Sequence, residues 1–335
     1  MDDRTALRTR TLVPIKAEIL FTRRCPTLCS YCAITTATVK NKPDMPIHEW
    51  ITGLAQLRRI GVSFLAIYGG EPTVRRADLP VFIREAKRLG FDLTVITACI
   101  GMTPDRWVEL IQAGLDSVTV SLDAPPDAEY VEPDGQIRRT TAVLDSLSFV
   151  RTRVRDIEVV MTVSSSNLGL VLPMLDWADR MGYWVNFDLQ HPDRGQPGSK
   201  CKGSAPAFEE DDKEGASAIF REVLRRKREG VRIHNSEAVL MAWANGSLFD
   251  YEWRCTDPFW LSVDCDGSMM YCDDSYDSSI NQFSVTTLHA RWEEFLTAWY
   301  AWRDQSTCHC AWATHFQAGE QVKSPDGPLS IAHRR

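Results

Sequence analysis

Between residues 17 and 189, six short β-like runs alternate with segments whose apolar residues recur at helical spacing. The runs fall at 17–21, 64–68, 92–97, 115–122, 157–163 and 183–189, and the helical segments between them at 47–60, 79–89, 104–113, 141–150 and 170–181. Strand and helix taking turns in this way predict a parallel α/β sheet with helices packed against it. Such sheets bind ligands beyond the carboxyl ends of their strands. Residues directly after each run are therefore the first candidates for function.

After the first run comes Cys25-Pro26-Thr27-Leu28-Cys29-Ser30-Tyr31-Cys32, with three residues between the first pair of thiols and two between the second. One loop of this length can wrap its sulfurs around a single inorganic centre. Thiolates are soft ligands suited to zinc, copper(I) or iron–sulfur clusters. Zinc wants a fourth ligand close by, and the next histidine, His48, is sixteen residues on. An iron–sulfur cube held by three cysteines keeps one iron open to a non-protein ligand. After the second run comes Gly69-Gly70-Glu71-Pro72. Glycines there let a ligand or another backbone approach closely, although a plain strand-to-helix turn has the same appearance. A zinc knuckle, a disulfide and buried thiols are the competing readings of the cysteine loop.

The CxxxCxxC spacing behind a strand, with aromatic Tyr31 before the third cysteine and Gly69-Gly70-Glu71 farther on, resembles the radical S-adenosylmethionine (SAM) superfamily. The resemblance implies a partial (β/α)6 TIM-like barrel. It also implies a [4Fe-4S] cluster on Cys25, Cys29 and Cys32 that binds SAM at its open iron. An electron from the cluster would cleave SAM to methionine and a 5′-deoxyadenosyl radical, which takes a hydrogen atom from substrate. By the same resemblance Gly69, Gly70 and Glu71 hold the methionyl amine. Thr97, Ser121 and Asp123 fall where the family contacts the SAM carboxylate and ribose, and Arg138 or Arg139 is placed to pair with that carboxylate. Ser164, Asn167 and His191 are further candidates at strand ends.

Downstream, Cys255, Gly267 and Cys272 are spaced C-x11-G-x4-C, and Asp266-Gly267 between two alternating stretches predicts a hairpin. An aromatic-rich helix at 292–302 precedes Cys308-His309-Cys310. This resembles the SPASM/twitch extension behind many radical SAM barrels. It lacks the full seven-cysteine pattern, which implies one auxiliary [4Fe-4S] cluster on Cys255, Cys272, Cys308 and Cys310, with His309 or Cys265 as substitutes for one thiolate. A zinc site on the same cysteines is the competing reading.

These features divide the chain into a barrel at 12–200, connecting loop and helices at 201–249, an auxiliary-cluster region at 250–320 and a tail at 321–335. Residues 192–215 read as a loop, and 216–229 as a helix with a basic tail. A net charge of -7 offers no basic face for nucleic acid. No apolar run has the length of a membrane span, and the first residues carry no signal-like core, so a cytoplasmic setting is expected. Cys99, Cys201 and Cys265 are left over. All three are candidate hydrogen-atom donors for an epimerisation, Cys99 foremost because it lies just past a strand's carboxyl end, whereas an auxiliary cluster would serve an oxidation. Peptide-modifying relatives often carry a recognition domain ahead of the barrel, and the first cluster cysteine here is already residue 25. The expected substrate is therefore a small polar molecule such as a sugar, aminoglycoside or nucleoside, with a flavodoxin or ferredoxin as reductant. A peptide maturase is the alternative, and a zinc-binding scaffold is the alternative of another class.

Overall fold

In a computed structural model of the chain, residues 14–27, 29, 32, 34, 42–128, 140–190, 210–247, 258–272 and 282–305 are described. The six expected strands form as β1 (Lys16–Thr22), β2 (Phe64–Gly69), β3 (Asp92–Thr97), β4 (Ser117–Ser121), β5 (Asp156–Val163) and β6 (Trp184–Leu189). Between them lie α1 (Ile47–Arg59), α2 (Asp78–Arg88), α3 (Pro104–Ala113), α4 (Thr140–Val150) and α5 (Val171–Met181). Helices α6 (Glu210–Arg228) and α7 (Glu237–Ala244), strands β7 (Trp260–Val263) and β8 (Met269–Met270), and α8 (Trp292–Gln305) follow. Among the described residues, no helix is long and apolar enough to cross a membrane.

The sheet runs in the order β6-β5-β4-β3-β2-β1-β7-β8, and every pair except β7–β8 is parallel. Period-two alternation sorts each strand's side chains onto two faces. On β1, Ala17, Ile19 and Phe21 join the main apolar core. Phe21 packs against Trp50 of α1 and Phe82 of α2, at centroid distances of 5.9 and 5.1 Å. Lys16, Glu18, Leu20 and Thr22 take the opposite face. Strands lie about 4.8 Å apart, so a flat sheet would separate β1 from β6 by about 24 Å. Lys16 and Glu18 of β1 nevertheless bear electrostatically on Asp188 of β6. The sheet therefore curls into the expected partial barrel, with the second face as its interior.

The helix signals act locally as expected. Thr103 caps α3 by accepting from the Arg106 N–H, Pro104 opens the helix, and Gly114 closes it at φ 107°, a left-handed conformation natural to glycine. One boundary differs from expectation: α6 begins at Glu210, inside the stretch read as a loop. Its first residues, Glu-Asp-Asp-Lys-Glu-Gly, show no apolar period, yet acidic residues favour a helix N-terminus. The basic tail of α6 is a solvated face, with Arg225 on Glu222 at 2.7 Å and Arg226 on Glu222 at 2.8 Å.

Both ends of the barrel sheet are covered. At β6, Val185 bridges to Ile233, and the Asn235 side chain accepts from the Phe187 N–H and donates to the Phe187 carbonyl, at 2.9 and 2.8 Å. At β1 the expected hairpin adds directly: β7 lies parallel to β1, and β8 turns back through Asp266-Gly267 with Gly267 at φ 80°.

Candidate functional site

The exit of β1 is strapped onto the exit of β2. Gly70 N–H donates to the Thr22 carbonyl at 2.8 Å, and Glu71 N–H to the Arg24 carbonyl at 2.9 Å. A Cβ at position 69 would sit 2.3 Å from the Thr22 oxygen, and one at position 70 would sit 2.4 Å from the Arg24 oxygen. Gly69 and Gly70 are thus demanded by backbone crossing backbone, which fixes where the chain enters the cysteine loop.

Cys25, Cys29 and Cys32 follow directly, each partly exposed and none in a disulfide. Thr27 Oγ1 lies 3.0 Å from Cys25 Sγ and 3.9 Å from Cys29 Sγ, and Cys32 N–H donates to the Cys29 carbonyl at 3.0 Å. The single Thr27 O–H can donate to one thiolate, and the Cys25 sulfur is the nearer at 3.0 Å; hydrogen bonds to sulfur tune cluster potentials. Among the described residues, no three of His, Cys, Asp and Glu gather closely enough for a single metal ion. A multi-iron cluster places each sulfur on its own iron, so its thiolates stand farther apart than the ligands of a single ion. Three soft donors on one partly exposed loop fit that group.

Glu71 is turned inward. It is 1% exposed; Oε1 accepts from Thr73 N–H, Thr73 Oγ1 and Thr97 Oγ1 at 3.1, 2.7 and 2.8 Å, and Oε2 accepts from Ala98 N–H at 2.9 Å. Burial pushes its carboxyl above the usual range despite these donors. The side chain clamps the β2 exit to the β3 exit. Glu71→Gln should therefore destabilise the fold. The amide oxygen would take the crowded side and leave its NH₂ facing the Ala98 N–H, a mismatch of about 1–3 kcal/mol. An unchanged urea midpoint would contradict the clamp.

The hairpin reaches the same loop from the other side. Arg23 donates to both oxygens of Asp264, at 3.1 and 2.5 Å, with Arg23 5% and Asp264 1% exposed. Lys42 reaches Asp264, Asp266 and Ser268 at 2.9, 3.0 and 3.2 Å. Met45 N–H donates to the Cys265 carbonyl at 2.6 Å. The turn of β7–β8 is thus latched to the residues on both sides of the cysteine loop.

The other expected residues scatter. Thr97 serves Glu71 and also accepts from the Cys99 N–H at 2.8 Å. Asp123 is buried and accepts from the Thr162 N–H at 3.0 Å; Asn167 donates to the Asp123 and Thr162 carbonyls, at 3.2 and 2.8 Å, so both bind the ends of β4 and β5 together. Ser164 N–H donates to Asn167 within the same turn. Ser121, the last residue of β4, is partly exposed. Cys99 has φ 58° and packs in the main core, its thiol pushed up to about 12 by burial and by Glu71. Cys265 is buried with Leu20 and Ile34 against Cys32 and Tyr68, also pushed up to about 12 by burial and then by Asp264. The Cys265 Sγ also lies 3.9 Å from the Lys42 and Pro43 carbonyls. Cys272 stands just past β8, partly exposed. Tyr31, Arg138, Arg139, His191, Cys201, Cys255, Cys308, His309 and Cys310 lie outside the described residues.

Sequence reasoning missed a polar network in the barrel interior. Glu158 of β5 bonds His234 Nδ1 at 2.8 Å and accepts from Thr119 at 3.2 Å, and Thr119 meets Thr94 at 3.2 Å. Lys16 pairs with Glu18 at 2.8 Å and stands 3.9 Å from the centre of the Trp260 ring. Asp188 shares this interior. The available signal was the recurrence of charge at alternate positions of otherwise apolar strands: Lys16 and Glu18, Glu158, Asp188.

Residues 19–164 match the model of the Radical SAM superfamily. Residues 19–164 form a radical SAM domain. Over 170 residues the chain is 31% identical to a PqqA peptide cyclase of Streptomyces rochei, covering 50% of this chain and 46% of that one. A PqqA peptide cyclase of Rhizobium meliloti is 35% identical over 124 residues, 36% of this chain and 33% of that one. The alignments thus span less than half the length of these relatives. Two solved structures share the fold at low identity. Streptococcus suis SuiB bound to S-adenosylmethionine superposes with TM-score 0.63 at 15% identity over 84% of this chain and 66% of that one. The protein anSMEcpe with bound AdoMet gives 0.65 at 14% over 88% and 84%. SuiB has also been seen with its precursor peptide SuiA. The superposed share, 84% and 88% of this chain, is larger than the 19–164 match, so the likeness of fold extends beyond those residues.

Proposed function

We propose that this chain is a radical SAM enzyme that modifies a peptide. The observation that carries it is the three-thiol loop strapped by Gly69-Gly70-Glu71 at the carboxyl ends of the strands, in a domain whose curated relatives bear the name peptide cyclase. Those names favour a peptide over the sugar, aminoglycoside or nucleoside expected from the sequence. Cys25, Cys29 and Cys32 hold the cluster, with the Thr27 hydroxyl placed to donate to the Cys25 sulfur. When bound, cluster and SAM supply the electron and the radical that take a hydrogen atom from an unactivated C–H bond. The protein's part is orientation and exclusion of water. The Gly69–Glu71 strap fixes the loop against β2, Glu71 fixes the strap against β3, and the Asp264 latch holds the loop from the hairpin side. Cys272, with Cys255, Cys308 and Cys310, is the proposed set for an auxiliary cluster that accepts the second electron of an oxidative coupling, and a flavodoxin or ferredoxin is the proposed reductant.

The test is substrate-stimulated SAM cleavage by anaerobically reconstituted full-length protein. A panel of synthetic peptides should raise 5′-deoxyadenosine formation above the substrate-free level, with a mass change in the responding peptide. Stimulation by sugars, aminoglycosides or nucleosides alone would overturn the peptide reading.

A further inference from the structure

The charges inside the barrel do not balance. Three carboxylates face one another from three strands: Glu18 on β1, Glu158 on β5 and Asp188 on β6. Among the described residues Lys16 and His234 pair with two of them, and Lys227 of α6 bears on His234. Lys16 pairs with Glu18 at 2.8 Å, and His234, from the segment beside β6, pairs with Glu158 at 2.8 Å. Asp188 is left over. Its Oδ1 is buried with no hydrogen-bond partner among the described residues. The residue as a whole stays partly exposed.

Its position is informative. Val185, Phe187 and Leu189 of β6 belong to the core under the helices, with Phe187 6.3 Å from Phe220 of α6. Asp188 therefore takes the interior face, one residue from the carboxyl end of its strand and paired in register with Thr162. The charges that bear on it, Lys16 and Glu18 of β1 and Glu158 of β5, come from the first halves of their strands, so Asp188 faces the middle of the barrel interior. A buried acceptor without a donor is costly and calls for an explanation.

We propose that Asp188 is a substrate-binding residue that receives a cationic nitrogen group of the substrate, an ammonium or guanidinium, inside the barrel. The ligand supplies a positive charge opposite Asp188, and its N–H groups satisfy Oδ1. This inference rests on the reading of the barrel as a substrate chamber. It does not depend on the substrate being a peptide. Burial, then Glu158 and Glu18, push the Asp188 carboxyl up to about 7, while Lys16 and His234 pull it down. The empty site is thus half protonated near neutrality, and cation binding favours its ionised form.

The experiment measures thermal stabilisation of reconstituted full-length protein by n-butylammonium and n-butylguanidinium chloride, at constant ionic strength, with n-butanol as neutral control. Wild type should be stabilised by the cations and not by butanol. Its affinity should be about tenfold higher at pH 8 than at pH 6, following ionisation of the carboxyl. Asp188→Asn should bind at least about tenfold more weakly, the usual worth of a charged hydrogen bond, and should lose that pH dependence. Unliganded, Asp188→Asn should melt no lower than wild type at pH 8, since the uncompensated charge is gone. If Asp188→Asn does not fold, the pH dependence of wild type decides. Equal responses in wild type and Asp188→Asn, no response in wild type, or loss of SAM affinity in the variant with cation response unchanged would each overturn the proposal. A cation response that depends on Asp188, alongside a substrate screen answered by nucleosides alone, would separate this inference from the peptide reading.

Discussion

Asp264→Ala should destabilise the protein by about 3–5 kcal/mol, the range for removing one partner of a buried ion pair. Arg23 and Asp264 are 5% and 1% exposed, and the guanidinium meets the carboxylate through two parallel bonds at 3.1 and 2.5 Å. Without Asp264, the Arg23 guanidinium stays buried and loses both of these charged hydrogen bonds. Asp264 also accepts from Lys42 at 2.9 Å and from the Cys265 N–H at 2.7 Å, so the turn loses its own anchor as well. Lys42→Met should cost far less, because Lys42 is 27% exposed and water replaces part of what it loses. Replacing both partners, Arg23→Met with Asp264→Leu, should recover much of the loss, since two apolar groups of similar volume leave no charge behind. Denaturant unfolding of the three variants measures this. A loss below about 1 kcal/mol for Asp264→Ala, the worth of an exposed pair, would mean that the latch is solvated and does not tie the hairpin to the cysteine loop.

That latch also shows where the sequence stopped being readable. Strand and helix order followed from local periodicity, and Asp266-Gly267 marked the hairpin correctly. Nothing local in residues 259–272 says that β7 pairs parallel to β1, some 240 positions earlier, because pairing partners are chosen by the whole sheet. Arg23 and Asp264 were equally opaque: each reads as an ordinary charged residue until the hairpin lands. Cys99 is the complementary case. Its place after β3 was legible, but its direction depends on a φ of 58°, unusual for a residue other than glycine. That angle turns the thiol into the core, where it packs. Glu71 was singled out for the right motif, yet its carboxylate is occupied by Thr73, Thr97 and Ala98. The glycines beside it carry the steric requirement.

Gly70→Ala tests that requirement most directly. The added Cβ would lie 2.4 Å from the Arg24 oxygen, 2.6 Å from the Arg24 carbonyl carbon and 2.8 Å from the Arg23 oxygen. All three are backbone atoms, so no rotamer change relieves the overlap. The β1 exit must lift off the strap, stretching the bonds from Gly70 N–H to Thr22 and from Glu71 N–H to Arg24. Overpacking of this kind costs about 1–3 kcal/mol, and each weakened hydrogen bond adds about 1 kcal/mol. The shift falls one residue before Cys25, so iron retention after reconstitution should drop together with stability. Gly182→Ala separates backbone strain from crowding: it meets nothing within 4 Å but holds φ 73°, and it should cost about 1–2 kcal/mol without affecting iron. Gly169→Ala meets nothing within 4 Å and has no positive φ, so it should match wild type in both measurements. Iron content and unfolding midpoint measured on the three variants separate the effects. If Gly70→Ala kept its iron and its stability, the cysteine loop would be held by something other than the crossing of these two backbones.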